Sequence, residues 1–374
     1  MNVIFTCGGT GGHINPAIAV ANILKERHPD CKILFVGAKT GMEENLVPRA
    51  GYELKTIRCS SLSRKKNLQG LKWNIRAAGV VLEAVKECKK IIRDFQPDVI
   101  VGTGGFASFP ALYAGTTMGI PTCVHESNAV PGLTTKMIAG RATKVLVSFA
   151  ESAQYYRHPE RVEVVGMPVR KEFITTEKAA ARKELGLDER PLIVSAFGSL
   201  GAEAMNRVIC RMLQLEQQAG YPFQHIHSTG TSGWKWMPQE LENMGLDLQA
   251  SCGVDVREYI YNMPTVMAAA DVIIGRAGAS SCNEIGASGT PCVLIPSPNV
   301  TNNHQEKNAR ILESRGAAVV IPEPECTPEH LFAAVSDLLG DRMRCSAMSA
   351  SLRNMVVLDS ADRICDMIEE LSRT

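Results

Sequence analysis

The chain has 374 residues, 45% hydrophobic and 21% charged, with a formal net charge of +1. So small a charge excludes bulk electrostatic attraction to nucleic acid or membrane, and any such attraction must come from a local patch. One hydrophobic core rarely grows beyond about 250–300 residues, so two domains are expected.

The 12 cysteines contain no C-x-x-C pair, and none has a histidine at metal-ligand spacing. Cys123 and Cys292 lie in apolar runs, where a thiol behaves as a small buried hydrophobe. That usage fits free thiols in a reducing compartment. The first residues lack the basic and long apolar regions of a signal peptide. No window offers the ~20 apolar residues that span a bilayer.

In chain order the pattern is strand, glycine turn, helix. Val3–Thr6 is a short β-rich run, Gly8–Gly12 a turn and Pro16–Arg27 a helix. Lys32–Val36, Asp98–Val101, Thr122–His125 and Lys144–Ser148 are further buried-strand candidates. The pattern restarts after Gly166-Met167-Pro168 with Leu192–Ala196, Gln224–His227, Asp271–Ile274, Pro291–Ile295 and Ala317–Ile321. Helical stretches Ala202–Gln218 and Asn303–Ser314 separate some of these. The alternation predicts two doubly wound α/β domains with parallel sheets. The expected division is 1–164, with 345–374 returning to it as a helix, and 165–344.

Four glycine loops follow strands: Gly8–Gly12, Gly102–Gly105, Gly198–Gly201 and Gly275–Gly278. Glycine lets backbone approach a ligand closely, and a helix N-terminus favours negative charge. Each loop alone is equally a structural turn. Together they mark the carboxyl edges of the sheets, where open α/β folds bind ligands. Gly102-x-Gly104-x-x-Ala107, with Glu126 about 20 residues on, also matches a relaxed dinucleotide fingerprint. A dehydrogenase is therefore an alternative, although the first turn of the chain does not fit that fingerprint.

His13 follows the first loop, where an imidazole can accept a proton from an attacking hydroxyl. The plainer reading is a brace at a helix start. His125-Glu126-Ser127-Asn128 crowds polar groups at one strand end, as a site or as an Asn-stabilised turn. Glu284 is either a solvated helix carboxylate or a holder of ribose hydroxyls. Arg170 follows the hinge and pairs with a diphosphate or forms an interdomain salt bridge. No Asp-x-Asp occurs, so no metal is expected at the diphosphate, and no cofactor is implied. Leaving-group charge would then fall to helix ends, backbone N–H groups and Arg170.

Residues 55–95 hold eleven Lys or Arg against three acids, interleaved with Leu68, Leu71, Trp73, Ile75, Val80, Val81 and Leu82. This is either a surface for an anionic membrane face or a core helix with a solvated basic side. No nucleic-acid motif accompanies the charge.

Gly8-Gly-Thr-Gly-Gly-His13, Gly102-Thr-Gly-Gly-Phe-Ala-Ser108 and His125-Glu-Ser-Asn128 resemble the N-terminal motifs of the MurG family. Those are the peptidoglycan N-acetylglucosaminyltransferases of glycosyltransferase family 28. Gly198-Ser-Leu-Gly201, Gly275-Arg-Ala-Gly278 through Glu284, and Asn303-His-Gln305 with Asn308-Ala309 resemble the C-terminal motifs, in the same order.

The resemblance implies a GT-B fold, two Rossmann-like domains facing across a cleft. It implies inverting transfer of GlcNAc from UDP-GlcNAc to the C4 hydroxyl of the muramoyl sugar of lipid I, giving lipid II and UDP. It places the protein peripherally on the cytoplasmic side of the cell membrane, against the anionic inner leaflet, beside other cell-wall synthesis proteins.

By the same resemblance, Thr10, Gly11, Gly12 and Asn128 contact the donor from the first domain. Arg170, Ser199, Ile260, Ala279, Ser280, Ser281, Glu284 and His304 or Gln305 contact it from the second, with Glu284 on the ribose. His13, Phe106, Glu126 and Asn128 fall where the family handles the acceptor, with His13 and Glu126 the catalytic candidates.

Five positions depart from the family pattern. Phe197 replaces a glycine, Met167 an asparagine, Phe106 a tyrosine and Ser127 a glutamine, and Glu203 stands where a basic residue is common. A UDP-GlcNAc 2-epimerase of the same fold and a non-catalytic nucleotide-sugar scaffold are the remaining alternatives.

Overall fold

The computed structural model of the chain describes residues 1–59, 67–198, 200–246, 253–300 and 303–373. They form two units, Met1–Val169 with Val357–Thr374, and Arg170–Val356.

In the first unit the strands are β1 (Asn2–Thr6), β2 (Lys32–Ala38), β3 (Glu53–Ile57), β4 (Val99–Gly102), β5 (Thr122–Glu126), β6 (Lys144–Val147) and β7 (Val162–Val164). They pair in parallel in the order β3-β2-β1-β4-β5-β6-β7. Successive strand side chains point to opposite faces, so each strand feeds two cores. Val3, Phe5, Phe35, Val99, Val101, Cys123 and Leu146 lie in one. Ile4, Leu34, Val36, Ile100, Val124, Val145 and Val147 lie in the other.

Helix Gly11–Arg27 covers the first face through Ile14, Ala17, Val20, Ala21 and Leu24. The C-terminal helix Ser360–Leu371 completes that cover, adding Ile364, Cys365, Ile368 and Leu371 to the same core. Arg27 ties the two helices together through Asp362 and Asp366, each at 2.6 Å.

The return begins at Val357, later than the expected 345. Residues 345–355 instead belong to helix Arg342–Met355 of the second unit. Met348 and Leu352 are buried there, Met348 accepting from the Cys292 amide at 3.4 Å.

Helix Leu68–Phe95 covers the second face of the first sheet. Its C-terminal half buries Ala84, Val85, Cys88 and Ile92. Its earlier turns leave Trp73, Ile75 and Leu82 at 53%, 68% and 64% exposure. The core-helix reading of this stretch therefore holds for the C-terminal part of the helix. Arg64, Lys65 and Lys66 lie outside the described residues. No helix among the described residues is long and apolar enough to cross a membrane. The described cysteines are free.

The second unit repeats the plan. Its strands are β8 (Leu192–Ala196), β9 (Gln224–Ser228), β10 (Val254–Arg257), β11 (Val272–Gly275), β12 (Cys292–Leu294) and β13 (Val319–Val320). They pair in parallel in the order β10-β9-β8-β11-β12-β13.

One buried polar chain links this sheet to helix Glu203–Gln218. Glu216 meets His225 Nδ1 at 2.9 Å, His225 Nε2 meets Ser195 Oγ at 2.7 Å, and Ser195 Oγ meets His227 Nδ1 at 2.7 Å. Desolvation first, then the neighbouring His225, pushes the His227 pKa down to about 3. Unfolded histidine takes its proton near pH 6.5, so the folded state binds fewer protons below that pH and loses stability on acidification. His227→Asn keeps a donor for Ser195 but does not titrate. Its unfolding free energy relative to wild type should improve by about 2 kcal/mol between pH 7 and pH 5, measured by urea denaturation.

Candidate active site

Both sheets reverse direction at one place, between β1 and β4 in the first unit and between β8 and β11 in the second. Connections leave such a switch point on opposite faces, opening a crevice at the carboxyl ends of the strands. The four glycine loops follow these four strands.

In the first unit the two loops lie against each other. A Cβ on Gly105 would stand 2.1 Å from the Gly8 carbonyl oxygen, and one on Gly8 would stand 2.4 Å from Ala107 Cβ. Only residues without side chains let the backbones approach so closely. Thr10 begins helix Gly11–Arg27, its carbonyl accepting from the His13 amide at 3.0 Å. Helix amides before that point have no preceding helical carbonyl, so the Gly11 and Gly12 N–H groups are oriented outward from the helix start.

His13 is held by the second loop. Its Nδ1 lies 3.0 Å from the Thr103 carbonyl, and Thr103 Oγ1 donates to the His13 carbonyl at 2.6 Å. An Nδ1–H donating to that carbonyl puts the basic lone pair on Nε2. Gly104 leaves the ring its space, since a Cβ there would come within 2.8 Å of Nδ1. Phe106 is partly exposed beside Gly9, whose missing Cβ would lie 3.6 Å from its ring.

Glu126 takes a different position from the one its motif suggests. It is only 4% exposed, and both oxygens are engaged by its own loop. Oε1 accepts from the Asn128 amide at 3.0 Å and from Asn128 Nδ2 at 3.1 Å, and Oε2 from the Gly132 amide at 2.9 Å. Such a carboxyl shapes the loop that carries Asn128. It is equally ill placed to hold a dinucleotide ribose, so the fingerprint at Gly102 lacks its acidic partner. His125 is a brace as well: its Nε2 lies 2.8 Å from the Gly166 carbonyl, and burial lowers its pKa.

In the second unit, a Cβ on Gly201 would stand 2.1 Å from the Thr229 carbonyl oxygen, which sets the loop after β8 against the one after β9. Ser199 lies outside the described residues. Phe197 is buried beside His227, with the Arg276 guanidinium 5.7 Å from its ring centre. It thus packs beneath the loop. Glu203 is an exposed partner of Arg207 at 2.8 Å, and Met167 and Ser127 are buried.

Helix Ala279–Ser288 follows the loop after β11 and presents Ala279, Ser280 and Ser281 in its first turn, with no acid there. Glu284 lies one turn further and is half-buried. Burial raises its pKa to about 7, against the opposing pull of the Arg170 charge. Arg170 is exposed and stacks on Phe173 at 5.1 Å. Ile260 is buried in the connection after β10. Gln305 Oε1 accepts from the Ser297 amide at 2.9 Å, which ties helix His304–Ser314 to the loop after β12 and places His304 at its start.

The sequence reading passed over Glu43. It sits fully buried under the first glycine loop, accepting from the Gly9 amide at 3.1 Å. Its sequence context, Gly-Met-Glu-Glu, looks like an ordinary acidic helix start.

Two sheets of this order, each with paired glycine loops at its switch point, define a two-domain nucleotide-binding class. The model of the glycosyltransferase family 28 N-terminal domain matches residues 3–147, and that of its C-terminal domain matches 192–364. The chain belongs to glycosyltransferase family 28.

A relative from Thermoanaerobacter sp. is 40% identical over 373 residues, covering 100% of both chains. One from Acetivibrio thermocellus is 37% identical over 374 residues, covering 100% of this chain and 99% of the other. Both are named UDP-N-acetylglucosamine–N-acetylmuramyl-(pentapeptide) pyrophosphoryl-undecaprenol N-acetylglucosamine transferase. The crystal structure of Acinetobacter baumannii MurG is similar at a TM-score of 0.78 and 26% identity, covering 99% of each chain. A UDP-GlcNAc 2-epimerase from Neisseria meningitidis, bound to UDP-GlcNAc, shares the fold at a TM-score of 0.65 and 14% identity, covering 99% of this chain and 100% of its own.

The raised pKa of Glu284 has a consequence for stability. The folded state keeps this proton up to about pH 7, whereas an unfolded glutamate releases it near 4.5. Folding therefore becomes less favourable as pH rises through that window. Glu284→Gln should be more stable than wild type by an amount on the order of 2 kcal/mol at pH 8 and about equal at pH 4.5, read by urea unfolding.

Proposed function

We propose that the chain is the inverting transferase that moves GlcNAc from UDP-GlcNAc to the C4 hydroxyl of the muramoyl sugar of lipid I. The reading rests on one observation above others: full-length identity of 37–40% to transferases of that name. The glycine motifs that carry the resemblance also fall on the loops at both switch points. The epimerase likeness, at 14% identity, extends to the fold alone.

In this reading UDP is held by the second unit. Glu284 accepts from the ribose hydroxyls, and the Ile260 main chain meets the base. The first-turn amides of Ala279, Ser280 and Ser281, the Ser199 loop and the Arg170 guanidinium meet the diphosphate. His304 and Gln305 contact the donor from the next helix. Thr10, Gly11, Gly12 and Asn128 approach the sugar from the first unit, with Phe106 on the acceptor side.

The C4 oxygen attacks the anomeric carbon, a new C–O bond forms there, and the bond to UDP breaks with its electron pair leaving on the diphosphate. A single displacement inverts the centre. His13 takes the C4 hydroxyl proton on Nε2. Glu126, with both oxygens engaged, acts through the loop that presents Asn128.

The exposed Trp73, Ile75 and Leu82, among the lysines and arginines of helix Leu68–Phe95, suit a peripheral contact with an anionic leaflet, which for a lipid-linked acceptor is the cytoplasmic one.

Purified full-length protein should release UDP from UDP-GlcNAc only when a lipid I analogue is supplied. Release without acceptor, or none with it, argues for the epimerase or scaffold reading. His13→Ala should lower kcat by about 100-fold or more with little change in UDP affinity. An unaltered kcat removes His13 as the base.

Trp73→Glu with Ile75→Glu should weaken co-sedimentation with vesicles containing phosphatidylglycerol by about tenfold or more, and turnover of a water-soluble acceptor should persist.

A further inference from the structure

We propose that Glu43 is the positioning residue of the first glycine loop. Its Oε1 accepts from the Gly9 amide at 3.1 Å and from the Ala38 amide at 3.2 Å, bridging the loop after β1 to the end of β2. Gly9 has φ +90°, a conformation side-chain-bearing residues rarely adopt. The Glu43 contact therefore holds the turn from which Thr10, Gly11, Gly12 and His13 follow.

Three further glycines make the room. A Cβ on Gly8 would stand 2.7 Å from Glu43 Oε1, one on Gly37 2.9 Å from Cγ, and one on Gly41 2.0 Å from Oε2. Three separate segments thus give up side chains around one carboxyl. Stability alone does not account for it. Oε2 is buried without a hydrogen-bond partner among the described residues, and a buried, half-satisfied carboxyl is costly. An apolar side chain of equal volume would avoid that cost and lose only the acceptor. The acceptor is therefore the property that distinguishes Glu43 from a filler.

The Gly9 N–H is also committed to Glu43, so the loop offers a ligand the amides beyond it. A small tilt of this turn displaces His13 Nε2, and an ångström of misplacement at a reacting group lowers rate far more than binding. That catalytic consequence rests on the transferase reading; the ordering of the loop does not.

The test uses the full chain as Glu43→Leu, which fills the volume without an acceptor, and Glu43→Gln, whose Oε1 can serve both amides. Hydrogen–deuterium exchange of the segment 8–12 reads the loop, and UDP release reads turnover. Glu43→Leu should exchange about tenfold faster there and lose about 30-fold in kcat, with KM for UDP-GlcNAc within about threefold. Glu43→Gln should recover wild-type exchange and most of the turnover.

Wild-type exchange in folded Glu43→Leu, or Glu43→Gln behaving like Glu43→Leu, overturns the proposal. Should Glu43→Leu lack a cooperative melt, Glu43→Met takes its place. If wild type itself releases no UDP with acceptor, the transferase reading fails, and the exchange result still decides the role of Glu43.

Discussion

A parallel sheet has two faces to bury, and everything else in this chain follows from how that is done. Strand connections must cross over through helices, and helices on opposite faces force the strand order to reverse once. The reversal creates the switch point, and the switch point decides where loops can gather. In the first unit, helix Gly11–Arg27 shares its face of the sheet with a helix drawn from the far end of the chain. Ser360–Leu371 fills that place, and the ion pairs of Arg27 with Asp362 and Asp366 fix its register. The C-terminus thus completes a core begun by the first strand.

This explains what was legible. Strands in the sheet interiors are buried on both sides, so β1, β2, β4, β5, β6, β8, β11 and β12 read as largely apolar runs. The three strands absent from the sequence reading, β3, β7 and β10, are all edge strands. An edge strand meets solvent and carries charges: Glu53 and Lys55 in β3, Glu163 in β7, Asp255 and Arg257 in β10. Such alternation in a run of three to five residues resembles a loop. The glycine loops were visible because glycine after an apolar run has few other reasons to be there. Glu43 was not, because its meaning depends on Gly8 and Gly37 being brought to it by strand pairing. Glu126 shows the converse. Its motif marks an important loop, and its own hydrogen bonds give it the job of holding that loop.

The departures from the family pattern separate in the same way. Phe197, where the family has glycine, packs on His227 and under the Arg276 guanidinium. His227 belongs to the chain through Ser195 and His225 to Glu216, so the larger side chain rests on a hydrogen-bonded interior. Such a network is stiff because each partner fixes the next. The bulk of Phe197 is absorbed below the loop after β8, and the glycines above it, Gly198 and Gly201, keep their positive φ. Glu203 lies outside any such network, exposed and paired with Arg207.

The two switch points are alike in topology and differ in the charged side chains around them. Beneath the first loop lies the Glu43 carboxyl, and beside it the loop organised by Glu126. Near the loops of the second unit stand Arg170 and Arg276, the latter balanced by Glu323 at 2.5 Å. A carboxyl behind a glycine turn opposes an anion at its front, whereas a helix start and an exposed guanidinium favour one. The carboxyl behind the first loop and the Arg170 guanidinium near the second support the proposed placing of the diphosphate in the second unit. The glycine pattern is shared by both loops and carries no such information. The distinction lies in the charged groups around them.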